Sequence, residues 1–255
     1  MTLSRIAELI WAASFAGNAA LLAVLLIRRR WRDFPVFTAY IVFQTAWSPV
    51  LYAIYAHTHS TWGWYARVYW SGVLVDFAGQ LAIVYEVARI VMKPTGTWLR
   101  DARKQFFLSG AFGIVLAGAL AWIVAPPAAH GLHLLEMKGD LFAAFLVCEL
   151  LLVVSTTARR LGLGWRNHVM AIDFGFSAWI VVAVLAETLH GYFGWRRYFS
   201  ALDYTEQFVY LGALGYWIVQ LWRPEPARRP ISPELRDYIL ALHRQVEYDL
   251  GKLDV

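Results

Sequence analysis

Apolar residues occur along this chain in long blocks that short polar stretches separate. Seven of these blocks have the length that crosses a bilayer as a helix, about 17–25 residues. The predicted spans are residues 6–27, 34–56, 68–92, 106–124, 136–158, 168–190 and 204–222. Because the connections are short, neighbouring helices are expected to pack antiparallel. The sequence therefore predicts an all-α membrane protein, with a bundle of seven transmembrane helices over residues 1–222 and no soluble domain between them.

The composition favours the same class of protein. Hydrophobic residues make up 59% of the 255 residues and charged residues 16%, whereas a soluble domain has about 45–50% and about 25%. The 13 Trp and 13 Tyr residues are of types that favour the membrane–water interface. One cysteine, Cys148, excludes a disulfide framework and a cysteine zinc site. We expect a multi-pass integral membrane protein, in the cytoplasmic (inner) membrane if the chain is bacterial.

The basic residues predict the orientation of the bundle. The segment RRRWR, residues 28–32, follows the first span, and loops on the same side hold most of the other Arg and Lys residues. Basic loops favour the cytoplasmic side of a membrane. The N-terminus is therefore expected outside and the C-terminus in the cytoplasm. This bias also explains the net charge of +5, so no nucleic-acid partner is expected.

The chain after the last span has a different pattern. Residues 223–231 form a linker rich in Pro and Arg, and residues 232–251 read as an amphipathic cytoplasmic helix with Ser232 as its N-cap. Two interpretations stay open for this helix. It folds back under the bundle, or it docks a cytoplasmic or membrane protein partner or a second copy of the chain.

Polar side chains interrupt five of the predicted spans. Hydrocarbon offers them no hydrogen bonds, so they are expected to face the bundle interior or water. At a rise of about 1.5 Å per residue they lie in one layer near the midplane. The predicted pocket residues are Asp76, Gln80, Glu149, Asn18, Gln44 and Ser177. The alternative is that they only tie helices together, a role that explains the two carboxyl groups least well because an amide would serve at lower cost.

A second polar group is predicted at the outer face. Its members form the mouth of the pocket or, in the plainer interpretation, a wetted rim: Glu187, His190, Asp203 and Glu206. His130, His133 and Glu136 are weak candidates for a metal site, because histidine and carboxylate one turn apart can bind zinc.

Two further acids lie nearer the cytoplasmic ends of their spans. Glu86 precedes Arg89 by three residues, and Asp173 lies near Arg166 and His168. Opposite charges at this spacing predict ion pairs.

Several known classes of membrane protein are excluded by missing residues. Retinal needs a lysine in the last span, and residues 204–222 contain none. Haem is not expected, because no span has a histidine near its middle. The paired histidines of seven-span zinc hydrolases and the soluble catalytic motifs are also missing. No cofactor is therefore expected, and a membrane enzyme stays open as an alternative with no motif behind it.

These features predict a non-enzymatic sensor or receptor-like module in contact with membrane lipids, with a midplane pocket and a cytoplasmic docking helix. Two alternatives stay open. One is an accessory subunit of a membrane complex. The other is a proton-coupled small-molecule transporter that uses Asp76 and Glu149.

Overall fold

The computed structural model describes residues 5–57, 62–92, 100–124, 132–160, 168–193, 195–224 and 241. These residues form seven α-helices and a short 3₁₀ helix, Arg30–Arg32, with no strand among them. The α-helices are α1 Arg5–Ile27, α2 Pro35–His57, α3 Trp62–Met92, α4 Arg100–Val124, α5 Leu132–Arg160, α6 His168–Phe193 and α7 Trp195–Trp222. The all-α fold predicted from the apolar blocks is confirmed for this part of the chain.

The chain divides into two compact units, Met1–Glu225 and Pro226–Val255. All seven helices belong to the first unit. Of the second unit, the structure describes residue 241 alone. The predicted helix over residues 232–251 and most of the linker before it therefore lie outside the described residues, and their roles remain predictions.

Three helices in the described part of the chain contain a segment long and apolar enough to cross a membrane. These segments are Arg5–Ile27, Lys138–Thr156 and His168–Leu189. The apolar part of α4, Gly110–Val124, is shorter. The structure supports a transmembrane protein with three candidate spans among the described residues.

Five helices close a ring that surrounds the interior of the bundle. Helix α1 packs between α2 and α7, α2 packs on α3, α3 on α6, and α6 on α7. Helix α5 packs against α3 and α6, and α4 packs mainly on α5. The ring brings polar residues from distant parts of the sequence to one place.

Three buried aromatic side chains pack together inside the ring, and we call them the aromatic plug: Phe37, Phe176 and Trp217. Each is at most 1% exposed. Trp217 lies 5.4 Å from Phe37 and 4.9 Å from Phe176 between ring centroids, and its indole N–H donates to the Ala171 carbonyl at 3.1 Å. The indole fits against Gly175, where a Cβ atom would overlap it. Apolar packing thus closes the bundle at this level.

The start of α2 is held by a carboxylate from α3. The backbone N–H groups of Val36 and Phe37 each donate to one oxygen of Glu86 at 2.9 Å. The first N–H groups of a helix lack partners within it and form the positive end of its dipole. The spacing in the sequence predicts Arg89 as the partner of Glu86. The Arg89 charge does act on this carboxylate, but its hydrogen bonds cap a neighbouring helix, which spacing along α3 alone does not reveal.

Asp173 also has a partner that the sequence did not indicate. Its carboxylate accepts a hydrogen bond from the Ser155 hydroxyl of α5. Asp173 and His168 are both 1% exposed, and Arg166 lies outside the described residues. Ser155 and Asp173 therefore join α5 to α6.

Candidate ligand-binding cavity

A cavity of about 560 Å³ lies between α1, α2, α3, α6 and α7. Its lining runs from Ala7, near the start of α1, to Asn18, a depth of roughly 16 Å at the helical rise per residue. It lies at the end of the bundle away from Arg28 and Arg223, which are at the opposite ends of α1 and α7. Small-molecule sites occupy about 300–1,000 Å³. The cavity has the size of a ligand site.

The floor of the cavity is built around Asp76 of α3. The Tyr40 hydroxyl donates to its Oδ1 at 2.9 Å, and the Gln80 amide donates to its Oδ2 at 2.6 Å. The Gln44 amide donates to Oδ1 as well. All three donors are neutral, and they come from two helices. This network holds the carboxyl group in one place at the edge of the cavity.

A second polar contact joins α1 to α7 beside this floor. The Tyr210 hydroxyl donates to Asn18 Oδ1 at 3.0 Å, and the Asn18 amide donates to the Ser14 carbonyl at 2.9 Å. Asn18 is 4% exposed and lines the cavity together with Ser14 and Tyr210. The Ser14 hydroxyl is buried and has no hydrogen-bond partner among the described residues. The floor therefore retains a polar group that a ligand can bind.

Aromatic side chains form much of the wall. Trp47 stacks on Phe43 at 5.6 Å between ring centroids, and its indole lies against Gly72 of α3, where a Cβ atom would overlap it. The Trp11 indole N–H donates to the Ser48 hydroxyl at 2.6 Å. The packing against Gly72 fixes the Trp47 indole at the cavity. The hydrogen bond to Ser48 fixes the Trp11 indole there.

Two of the four residues predicted for the outer mouth line the cavity. Asp203 and Glu206 line the cavity, and the Trp179 indole N–H donates to Glu206 at 3.3 Å. Glu187 lies on α6 and is not among the lining residues. The side chain of His190 lies outside the described residues.

The structure brings together four of the six predicted pocket residues. Asp76, Gln80 and Gln44 share one hydrogen-bond network, and Asn18 lines the same cavity. Glu149 instead lies against Gly113 of α4, and neither Glu149 nor Ser177 lines the cavity. Counting residues along a span gives the depth of a side chain, but not the direction in which it points around the helix.

The two tyrosines of the floor, Tyr40 and Tyr210, are not among the pocket residues predicted from the sequence. A signal for the first was present. Tyr40 precedes Gln44 by four residues on α2, just as Asp76 precedes Gln80 on α3, so each pair lies on one face of its helix. Tyr210 carries no comparable local pattern.

The predicted metal site is not tested by the structure. His130 lies outside the described residues, as do the side chains of His133 and Glu136. Among the residues that are described, no group of three His, Cys, Asp or Glu side chains could hold a metal ion. The metal site remains a prediction.

Comparison with protein-family profiles, with curated proteins and with solved structures gives no match to this chain. A helical bundle by itself hosts many unrelated functions. The geometry of the cavity is therefore the basis for assigning a function.

Proposed function

We propose that this chain is a seven-helix integral membrane protein that binds a small ligand in the cavity and acts as a non-enzymatic, receptor-like sensor. The N-terminus and the cavity face the outside, and the C-terminus lies in the cytoplasm. The observation that carries the proposal is a ligand-sized cavity with a fixed polar floor at Asp76 and a wall of aromatic side chains. Ligand sites combine a mostly apolar wall with a few placed polar groups.

The distribution of charge supports this orientation. At the end of the bundle away from the cavity, the Arg28 guanidinium lies 4.6 Å from the centre of the Trp222 ring, and Arg30 donates to the Arg223 carbonyl at 3.4 Å. Clustered arginine beside interfacial tryptophan is typical of a cytoplasmic membrane boundary. The cavity then opens on the opposite, outer side.

The outer surface of α4 supports this helix as a further membrane-crossing helix of the proposed seven. On α4, the side chains of Phe112, Val115 and Ile123 are each at least 69% exposed. Exposed apolar side chains are unfavourable in water and favourable in contact with lipid. A helix with a short apolar segment can still cross a membrane.

The aromatic plug favours binding over transport. Phe37, Phe176 and Trp217 fill the interior on the cytoplasmic side of the floor. A proton-coupled transporter would use Asp76 together with Glu149, yet Glu149 lies outside the cavity lining. An accessory subunit would suit the predicted C-terminal helix, but it has no need of a ligand-sized cavity.

In this proposal the ligand signal passes to the cytoplasm through α7 and the segment that follows it. The described part of α7 supplies Tyr210 to the floor and Trp217 to the plug. The predicted helix over residues 232–251 would dock the cytoplasmic partner or a second copy.

Native mass spectrometry of protein gently extracted from its own membrane tests the proposal. Wild-type protein is expected to carry a small molecule, and Ser14→Phe, which fills the cavity, is expected to lose it. Ala13→Phe adds the same bulk to an exposed position on α1 and serves as the control that keeps the ligand. Equal retention by Ser14→Phe, with its melting temperature unchanged, would place the ligand elsewhere.

A further inference from the structure

The charges around the cavity indicate the charge of its ligand. The lining contains the three acids Asp76, Asp203 and Glu206 and no Lys, Arg or His among the described residues. The hydrogen bonds that the described residues make to Asp76 come from a phenol and two amides. A carboxylate held away from water gains most from a cationic partner. An anionic ligand would be repelled.

The aromatic wall indicates an organic rather than an inorganic cation. Trp11, Trp47 and Trp179 line the cavity, together with three tyrosines. An indole face attracts an ammonium group within about 6 Å of its centroid. Metal ions prefer several oxygen or nitrogen ligands close together, and the described residues offer no such group. The volume also far exceeds that of a bare ion.

We infer that the cavity binds a small organic ammonium ion, with Asp76 as its counter-ion and the Trp and Tyr rings around its alkyl groups. The inference rests on the proposed ligand-binding function and names the chemical class of the ligand. The Ser14 hydroxyl, buried beside the cavity without a partner in the described part of the chain, offers a hydrogen bond to a polar group on the same molecule.

Two matched probes separate charge from shape. Choline and its carbon isostere, 3,3-dimethylbutan-1-ol, have nearly the same size and the same hydroxyl, but only choline is charged. Isothermal titration calorimetry on purified wild-type protein is expected to give a dissociation constant for choline at least about tenfold lower than for the alcohol, since cation–π and charge contacts both favour the ion. Acetate is expected not to bind.

Two variants test whether the preference for choline over the alcohol arises from Asp76. Asp76→Asn keeps the shape of the side chain and removes its charge, so the preference for choline is expected to fall to within about threefold. Asp33→Asn removes an exposed acid at the other end of the bundle and is expected to leave the preference unchanged. If Asp76→Asn does not fold, Trp47→Leu is measured instead. It is expected to weaken the binding of choline more than that of the alcohol, because both lose apolar contact and only choline also loses a cation–π contact.

The outcomes distinguish the inference from the proposed function. Equal affinity for choline and the alcohol, or a preference that survives Asp76→Asn, overturns the ammonium assignment. A neutral or anionic molecule found in the cavity by native mass spectrometry also overturns it and leaves the proposed function standing. If no molecule co-purifies and no probe binds, both fail.

Discussion

Gly79 of α3 is a position where one methyl group should disturb the floor of the cavity. A Cβ atom at Gly79 would lie 2.7 Å from Cδ2 of the Tyr40 ring. Carbon atoms pack best at about 3.5–4.0 Å, so the ring must shift by roughly 1 Å. The hydroxyl of the same ring donates to Asp76 at 2.9 Å. Gly79→Ala is therefore expected to weaken or break this hydrogen bond as well as to crowd the helix interface.

The size of the effect follows from three contributions. Overpacking costs about 1–3 kcal/mol, and the hydrogen bond contributes about 0.5–1.5 kcal/mol. Replacing glycine by alanine in a helix offsets about 1 kcal/mol of this loss. A net destabilisation of about 2 kcal/mol would lower the melting temperature by roughly 4–8 °C for a chain of this length.

Thermal unfolding in detergent measures the effect, with Gly215→Ala of α7 as the matched control. A Cβ atom at Gly215 meets nothing within 4 Å, so its melting temperature is expected to stay the same or rise. Tyr40→Phe, alone and combined with Gly79→Ala, completes a double-mutant cycle. Tyr40→Phe should be less destabilising when Gly79→Ala is already present. An unchanged melting temperature for Gly79→Ala, with additive effects in the cycle, would show that the added methyl group does not disturb the hydrogen bond from Tyr40 to Asp76.

Three further predictions concern the end of the bundle away from the cavity and the segment that follows α7. Glu86→Ala removes the acceptor for two N–H groups of α2 and is expected to destabilise by about 1–3 kcal/mol, as measured by thermal unfolding. The control Glu8→Ala removes an exposed acid in the first turn of α1 and should cost less, about 0.3–1 kcal/mol. Arg29 has a φ of 55°, so Arg29→Gly is expected to raise stability by about 1 kcal/mol, and a lower melting temperature would contradict this. Deletion of residues 232–255 is expected to remove a co-purifying protein while choline still binds. Retention of that protein would show that it docks elsewhere.

The residues of α3 show which features of the site were predictable from the sequence. The depth of Asp76 in its span and the position of Gln80 one turn away follow from the helical repeat. Counting residues along the span predicts a similar depth for Glu149, but in the structure its side chain lies against Gly113 of α4. Helix rotation depends on which neighbour each face packs against, and this information is spread over the whole fold.

The aromatic residues show a second difference between prediction and structure. Tryptophan is expected at the membrane–water interface, and Trp222 lies partly exposed beside Arg28 at the end of α7. Trp47 instead lines the cavity because Gly72 leaves space for its indole. Gly72 and Gly79 are seven residues apart on α3, as are Tyr40 and Trp47 on α2. This matching spacing places two glycines opposite two rings, a pairing that becomes visible only once α2 and α3 are known to be neighbours.

Thiol labelling from each side of the membrane decides whether the proposed binding cavity faces outward. With Cys148→Ala as the background, Ser48→Cys places a thiol at the cavity wall, and Ala46→Cys places one on the exposed face of the same helix two residues away. A membrane-impermeant thiol reagent is added to either side of the membrane. Ser48→Cys is expected to be labelled rapidly from the outer side, and Ala46→Cys slowly. Labelling of Ser48→Cys only from the cytoplasmic side, or from neither side, would contradict an outward-facing binding cavity.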